Sequence, residues 1–216
     1  MVDTLIDWSE FDGDYYNLEL EHFVSLRNYI IGQGAELPHV DRLLETFRDR
    51  AMAAWDHGRE TMVSPHLPRI LTQLLRDFDV PEDLLDEDAI IKHYAWNAVE
   101  GVTVFPEVPD TLQALLDAGV RIGIVTNAFQ PMVMRDDELK DHGLLRYFES
   151  CRYAAADVGH LKPHPAIFET ALDCIGSRPA ETVFVGDSLT ADIAGSQRVG
   201  MKGVWRDTGR HPSRMA

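Results

Sequence analysis

Lysine is nearly absent from this 216-residue chain: Lys92, Lys140, Lys162 and Lys202 are the whole set. With the arginines they make 20 basic residues against 36 acidic ones, a net charge of -16. Such a chain repels nucleic-acid backbones and anionic lipid, because both are bound by clustered Lys and Arg. Neither nucleic acid nor membrane is expected as a partner. The acid excess suits a saline cytoplasm, where charge of one sign preserves solubility, and equally suits ordinary codon bias. Cysteine is also scarce. Cys151 and Cys174 are too few for a disulfide framework and lack the paired spacing of a zinc cluster, so both read as ordinary buried thiols. No apolar run approaches the roughly 18 residues of a membrane span. The N-terminus MVDTLIDWSEFDGDYY is acidic where a signal peptide would be basic and then apolar, which points to the cytoplasm.

What is present is an ordinary globular balance, 45% apolar and 26% charged, enough for one α/β domain carrying a smaller insert. From Tyr15 to about Glu100 the apolar residues recur at three and four positions, as in Leu43, Leu44 and Phe47 or Leu71, Leu74 and Leu75. That spacing predicts a subdomain of about four helices. After Gly101 the pattern changes to helices alternating with short apolar runs. A helix is predicted over Pro109–Ala118, a fully buried strand over Val120–Thr126 (VRIGIVT), and a helix over Pro131–Asp141. A short strand follows at Cys151–Ala156, then a helix at Pro165–Ile175, a strand at Thr182–Val185, a helix at Leu189–Val199 and a strand from Gly203. Such alternation specifies a doubly wound, Rossmann-like parallel sheet with helices on both faces.

In that architecture ligands gather beyond the carboxyl ends of the strands. Thr126 and Asn127 follow IGIV, Asp187 follows VFVG, and Lys162 lies in the turn GHLKPHP before a helix. Each has a purely structural explanation: a capped turn for Thr126-Asn127, a solvated lysine, a helix cap for Asp187-Ser188, a first-turn acid for Asp192. Their order and context favour chemistry. GDSLTAD sets Asp187 and Asp192 five residues apart across a turn and a first helical turn. Two hard oxygen ligands so placed suit Mg²⁺, which keeps several waters for a phosphate to replace.

These residues resemble the haloacid-dehalogenase-like superfamily, in the group with a helical cap inserted after the first strand. IVTN, HLKPHPAIF and VFVGDSLTADIAGSQRVGM match its second, third and fourth motifs over Gly101–Trp205. The resemblance implies a hydrolase core of residues 1–14 and 101–216 and a helical cap of residues 15–100. It further implies a Mg²⁺-dependent phosphatase acting on a small phosphorylated metabolite through an aspartyl-phosphate, as a monomer or homodimer. Thr126 would bond the phosphoryl oxygens, Lys162 would neutralise charge, Asp187 and Asp192 would serve the metal, and Asn127 would contact substrate.

The first motif, Asp-x-Asp-x-Thr, is incomplete. Aligning Thr4 with its Thr puts Val2 at the second Asp and the nucleophile one residue before Met1, with the first core strand missing as well. The expectation is a chain whose start was placed late; a protein that has lost its nucleophile and binds phosphate or a partner is the alternative. The end after GVWRDTGRHPSRMA likewise falls short of the further strand and helix usual in relatives. Valine cannot carry a proton, and loss of that acid also marks the dehalogenases. Those enzymes lack the acid pair, so Asp187 and Asp192 make a haloacid dehalogenase the weaker alternative. His160 and His164 read as solvated loop residues, and Trp55 and Trp96 as core of the cap. Trp8, Phe11, Tyr15 and Tyr16 either line the mouth or pack cap against core.

Overall fold

The computed structural model describes residues 1–11, 13, 15–148 and 150–209. The Tyr15 side chain, placed above at the mouth, and residues 210–216, counted above with the core, lie outside the described residues.

Four helices come first: α1 (Tyr15–Gly32), α2 (Val40–Thr61), α3 (Leu67–Asp77) and α4 (Glu87–Tyr94). Their apolar stripes meet in one cluster in which Phe23, Leu26 and Ile30 of α1 pack on Leu43, Leu44 and Phe47 of α2 and on Leu71 and Leu74 of α3. Each such side chain, fully buried, contributes about 1.5–3 kcal/mol. Imidazoles start two of these helices: His39 Nδ1 accepts from the Asp41 amide and His66 Nδ1 from the Arg69 amide. A ring nitrogen without its proton can serve as the side-chain acceptor that an N-cap needs.

The remainder is α/β. A short antiparallel pair, β1 (Ile6–Asp7) and β2 (Thr103–Val104), ties the N-terminal residues to the segment entering α5 (Val108–Asp117). Next come β3 (Ile124–Thr126), α6 (Met132–Asp141), β4 (Arg152–Ala154), α7 (Ala155–Val158) and α8 (Pro165–Ile175). β5 (Val183–Gly186) leads through a π-helical turn, Leu189–Ala194, into α9 (Gly195–Arg198) and β6 (Lys202–Trp205). β3 pairs in parallel with β4, and β5 with β6. The expected alternation is therefore observed, with the sheet built as two parallel pairs.

Between β3 and β5 lies a cavity of about 1080 Å³ walled mainly by aliphatic chains, among them Ile122, Val183, Val185 and Val204. This explains two departures from the sequence reading. The strand predicted over Val120–Thr126 is paired only from Ile124, and Val120 is 44% exposed rather than buried. Val183 and Val185, every second residue of β5, face the same opening and are half exposed.

The two cysteines also depart from expectation: Cys151 and Cys174 are joined in a disulfide, with Cα atoms 5.7 Å apart. Sequence spacing hid the pairing. α8 folds back over β4, bringing its C-terminal half beside the residue that opens that strand, within bridging distance.

Candidate active site

The carboxyl ends of β3 and β5 open on a cleft of about 460 Å³ lined by Thr126, Asn127, Lys162, Asp187 and Asp192, all five residues singled out in the sequence. Thr126 is the last residue of β3 and is buried. Asn127 brackets the lysine loop: its Oδ1 accepts from the Lys162 amide at 2.7 Å, and its Nδ2 donates to the Lys162 carbonyl at 3.0 Å. The residue thus positions a cation through its backbone.

The ammonium so positioned pairs with Asp192, Nζ to Oδ1 2.7 Å, with side chains 8% and 4% exposed. Nζ also lies 3.3 Å from the Val125 carbonyl, which accepts from it, and 5.4 Å from the centre of the Phe184 ring. Asp192 is fixed from its other side, where Oδ2 accepts from the Ser188 amide at 3.0 Å. Gly186 makes room for it, since a Cβ at position 186 would fall 2.6 Å from that of Asp192. Ser188 caps the following turn, its Oγ accepting from the Ala191 amide.

Asp187 is held differently. Its Oδ1 accepts from the Thr4 hydroxyl at 3.0 Å, while its carbonyl accepts from the Trp205 indole. Its second carboxylate oxygen has no protein partner among the described residues. No group of three or more His, Cys, Asp or Glu side chains is gathered as a metal cage among the described residues. A hard cation that retains most of its water needs no such cage. The donor set fits Mg²⁺ with Asp187 as the open carboxylate; Asp192 is engaged by Lys162 and Ser188 and stands behind it.

Sequence reasoning left Gln130, Arg135 and Trp55 out of the cleft, all of which line it. Trp55 packs on the α/β cluster of Leu161, Ile167 and Phe168 rather than in the helical core expected for it, its ring 5.9 Å from that of Phe129, whereas Trp96 packs on the helical cluster. Arg135 is buried and pairs with Glu138, Nη2 to Oε2 2.7 Å. A signal existed: Arg135 falls on the α6 stripe with the buried Met132 and Leu139. His160 and His164 are not solvated as expected but half-buried and stacked, ring centres 3.9 Å apart, with His164 capping α8. The larger cavity between β3 and β5 is mostly aliphatic and holds none of the five polar residues that line the smaller cleft.

The sequence profile of the haloacid dehalogenase-like hydrolases matches residues 9–200. The chain belongs to that family. Among curated relatives, a phosphoglycolate phosphatase of Salmonella typhi is 32% identical over 179 residues, 81% of this chain and 63% of the relative. The pyrophosphatase PpaX of Anoxybacillus flavithermus is 35% identical over 127 residues, 57% of this chain and 52% of the relative. This hydrolase-family chain thus spans less than two thirds of the length of either relative. Two solved structures share the fold at 25% identity. A HAD phosphatase from Thermococcus onnurineus gives a TM-score of 0.59, covering 100% of this chain and 88% of that one. A 2-haloacid dehalogenase from Pseudomonas syringae gives 0.60, covering 98% and 85%. No helix among the described residues is long and apolar enough to cross a membrane.

Proposed function

We propose that the cleft binds the phosphate of a small phosphorylated metabolite and supports its Mg²⁺-dependent hydrolysis. The observation that carries this reading is the Lys162–Asp192 pair, bracketed by Asn127 beside the Thr126 hydroxyl and the open carboxylate of Asp187. Thr126 donates to a phosphoryl oxygen. Lys162 offsets the negative charge that builds on the transferring group, and Asp192 keeps the ammonium in place. Asp187 would hold Mg²⁺, which when bound supplies further positive charge at the phosphate. The resemblance implies attack by an aspartate carboxylate; none of the cleft residues is assigned that role, Asp3 included, whose backbone is left-handed at φ 56°. Residues 15–100 act as the cap and residues 1–14 with 101–216 as the core. Phosphatases among the named relatives support the reading, and the net charge of -16 argues against a polynucleotide substrate.

A second reading, phosphate binding without turnover, is favoured by the engagement of Asp187 and Asp192 with Thr4, Lys162 and Ser188. The retained Asp187 and Asp192 argue against a haloacid dehalogenase. Phosphate release from a panel of phosphomonoesters, with and without Mg²⁺, tests the first reading beside thermal stabilisation by inorganic phosphate plus Mg²⁺. Release is expected once the chain carries the aspartate that the resemblance implies ahead of Met1, stabilisation is expected with or without it, and Asp187→Asn should abolish both. Stabilisation without release would select the binder, and absence of both would overturn either reading.

A further inference from the structure

Among the described residues Arg135 is the one arginine lining the cleft, and its surroundings leave part of its binding capacity unused. The residue is 4% exposed. Nη2 is taken by Glu138, and the guanidinium lies over Trp96, 5.4 Å from its ring centre. Trp96 in turn points its indole nitrogen at Glu138 Oε2, 3.4 Å away. Nε is buried and has no hydrogen-bond partner. A buried guanidinium N–H left unpaired is costly; Arg50 and Arg206 carry one as well, but of the three only Arg135 lines this cleft, where a ligand can complete it.

Its position in the cleft indicates which part of a ligand that would be. Thr126 ends β3 and Lys162 lies in the loop before α8, whereas Arg135 lies on α6, after Ala128, Phe129 and Gln130, which also line the cleft. A phosphate held by Thr126 and Lys162 therefore leaves Arg135 facing the remainder of the molecule. Guanidinium N–H groups bind carboxylates with good geometry, and the apolar rings of Trp55 and Phe129 on the same cleft suit a singly charged carboxylate better than a second phosphate.

We propose that Arg135 is a specificity residue that recognises a carboxylate carried by the substrate on the side opposite its phosphate. Glu138 is the internal carboxylate that holds the guanidinium ready and that the substrate carboxylate joins or displaces. The proposal rests on the cleft being a phosphate site and fixes the substrate class as small phosphorylated carboxylic acids.

The test uses two matched probes in Mg²⁺ buffer: phospholactate, and isopropyl phosphate, in which a methyl replaces the carboxylate. The readout is the ratio of their dissociation constants by isothermal titration, or of their kcat/KM values where they are hydrolysed, in which any general weakening cancels. Wild type should favour phospholactate by roughly ten- to hundredfold, the worth of one charged hydrogen bond. Arg135→Gln/Glu138→Gln, which removes the pair together and so avoids a stranded buried charge, should bring the ratio to about one. Glu138→Gln alone should raise the ratio, because it removes the competing carboxylate; a merely structural pair would give no rise. Wild type without preference, or a double variant that keeps it, overturns the proposal. Inorganic phosphate is titrated against wild type alongside. Its failure to bind would sink the phosphate-site reading and this proposal with it, whereas phosphate binding without carboxylate preference would sink this proposal alone. If the double variant does not fold, the Glu138→Gln ratio decides.

Discussion

Two buried ion pairs wall the same cleft, and they are built by opposite rules. Lys162 comes from the loop before α8 and Asp192 from the π-helical turn after β5, and they are fixed by neutral hydrogen bonds with Asn127 and Ser188, so their geometry depends on the whole α/β core. Arg135 and Glu138 lie one helical turn apart on α6 and are steadied mainly by the Trp96 ring. The first pair is over-determined, which is what its proposed role at a reacting centre requires. The second is local and retains an unpaired donor, as suits a group that adjusts to different ligands.

Breaking each pair should expose the contrast. Lys162→Met strands the Asp192 carboxylate in the interior and is expected to cost about 3–5 kcal/mol in urea denaturation. Replacing both members of the local pair, Arg135→Met with Glu138→Leu, should change stability by no more than about 1 kcal/mol, because removing a buried pair whole removes its desolvation cost as well. Equal losses in the two variants would end the distinction. Asn127→Ala removes the bracket while leaving the charges, and should lower stability by about 1–3 kcal/mol and weaken Mg²⁺-dependent phosphate binding. Unchanged binding would mean that Lys162 is located by Asp192 alone.

The smallest effect expected is one of pH. Burial raises the pKa of Glu138 above its usual 4.5, with Arg135 opposing. A carboxyl whose folded pKa is raised binds protons more readily in the native state. Its contribution to stability is present below the unfolded pKa and is lost as pH rises through the folded one. Urea midpoints of wild type and Glu138→Gln, compared at pH 7 and pH 4.5, should therefore show wild type gaining on the variant at the lower pH. A gap that narrows on acidification would reverse the assignment.

The core was legible where local pattern and tertiary demand agree. Leu43, Leu44 and Phe47 repeat at helical spacing, and helices pack along such stripes whatever their neighbours. Thr126, Asn127, Lys162, Asp187 and Asp192 were readable because each ends an apolar strand or opens a helix, where a parallel sheet gathers its polar ends. What escaped depends on contacts that no spacing encodes. Cys151 meets Cys174 only because α8 turns back over β4. The strand leading to Thr126 is shortened by what lies beside it, since Val120 has every propensity for a strand and no neighbour to pair with. Arg135 was passed over because charge is normally read as surface, although its register on α6 was that of a core residue. The helix-starting imidazoles of His39, His66 and His164 were missed because histidine outside the usual Ser, Thr, Asp and Asn carries no capping signal.

The close approach of Gly186 to Asp192 bears on how this stretch of sequence is free to drift. Asp187 can exchange for another oxygen donor and leave the backbone undisturbed. Position 186 cannot accept one additional carbon without pushing the carboxylate away from the lysine. Packing at this corner is thus restricted most severely at the residue that carries no side chain, and a scan of GDSLTAD read by folding stability should record its deepest minimum there.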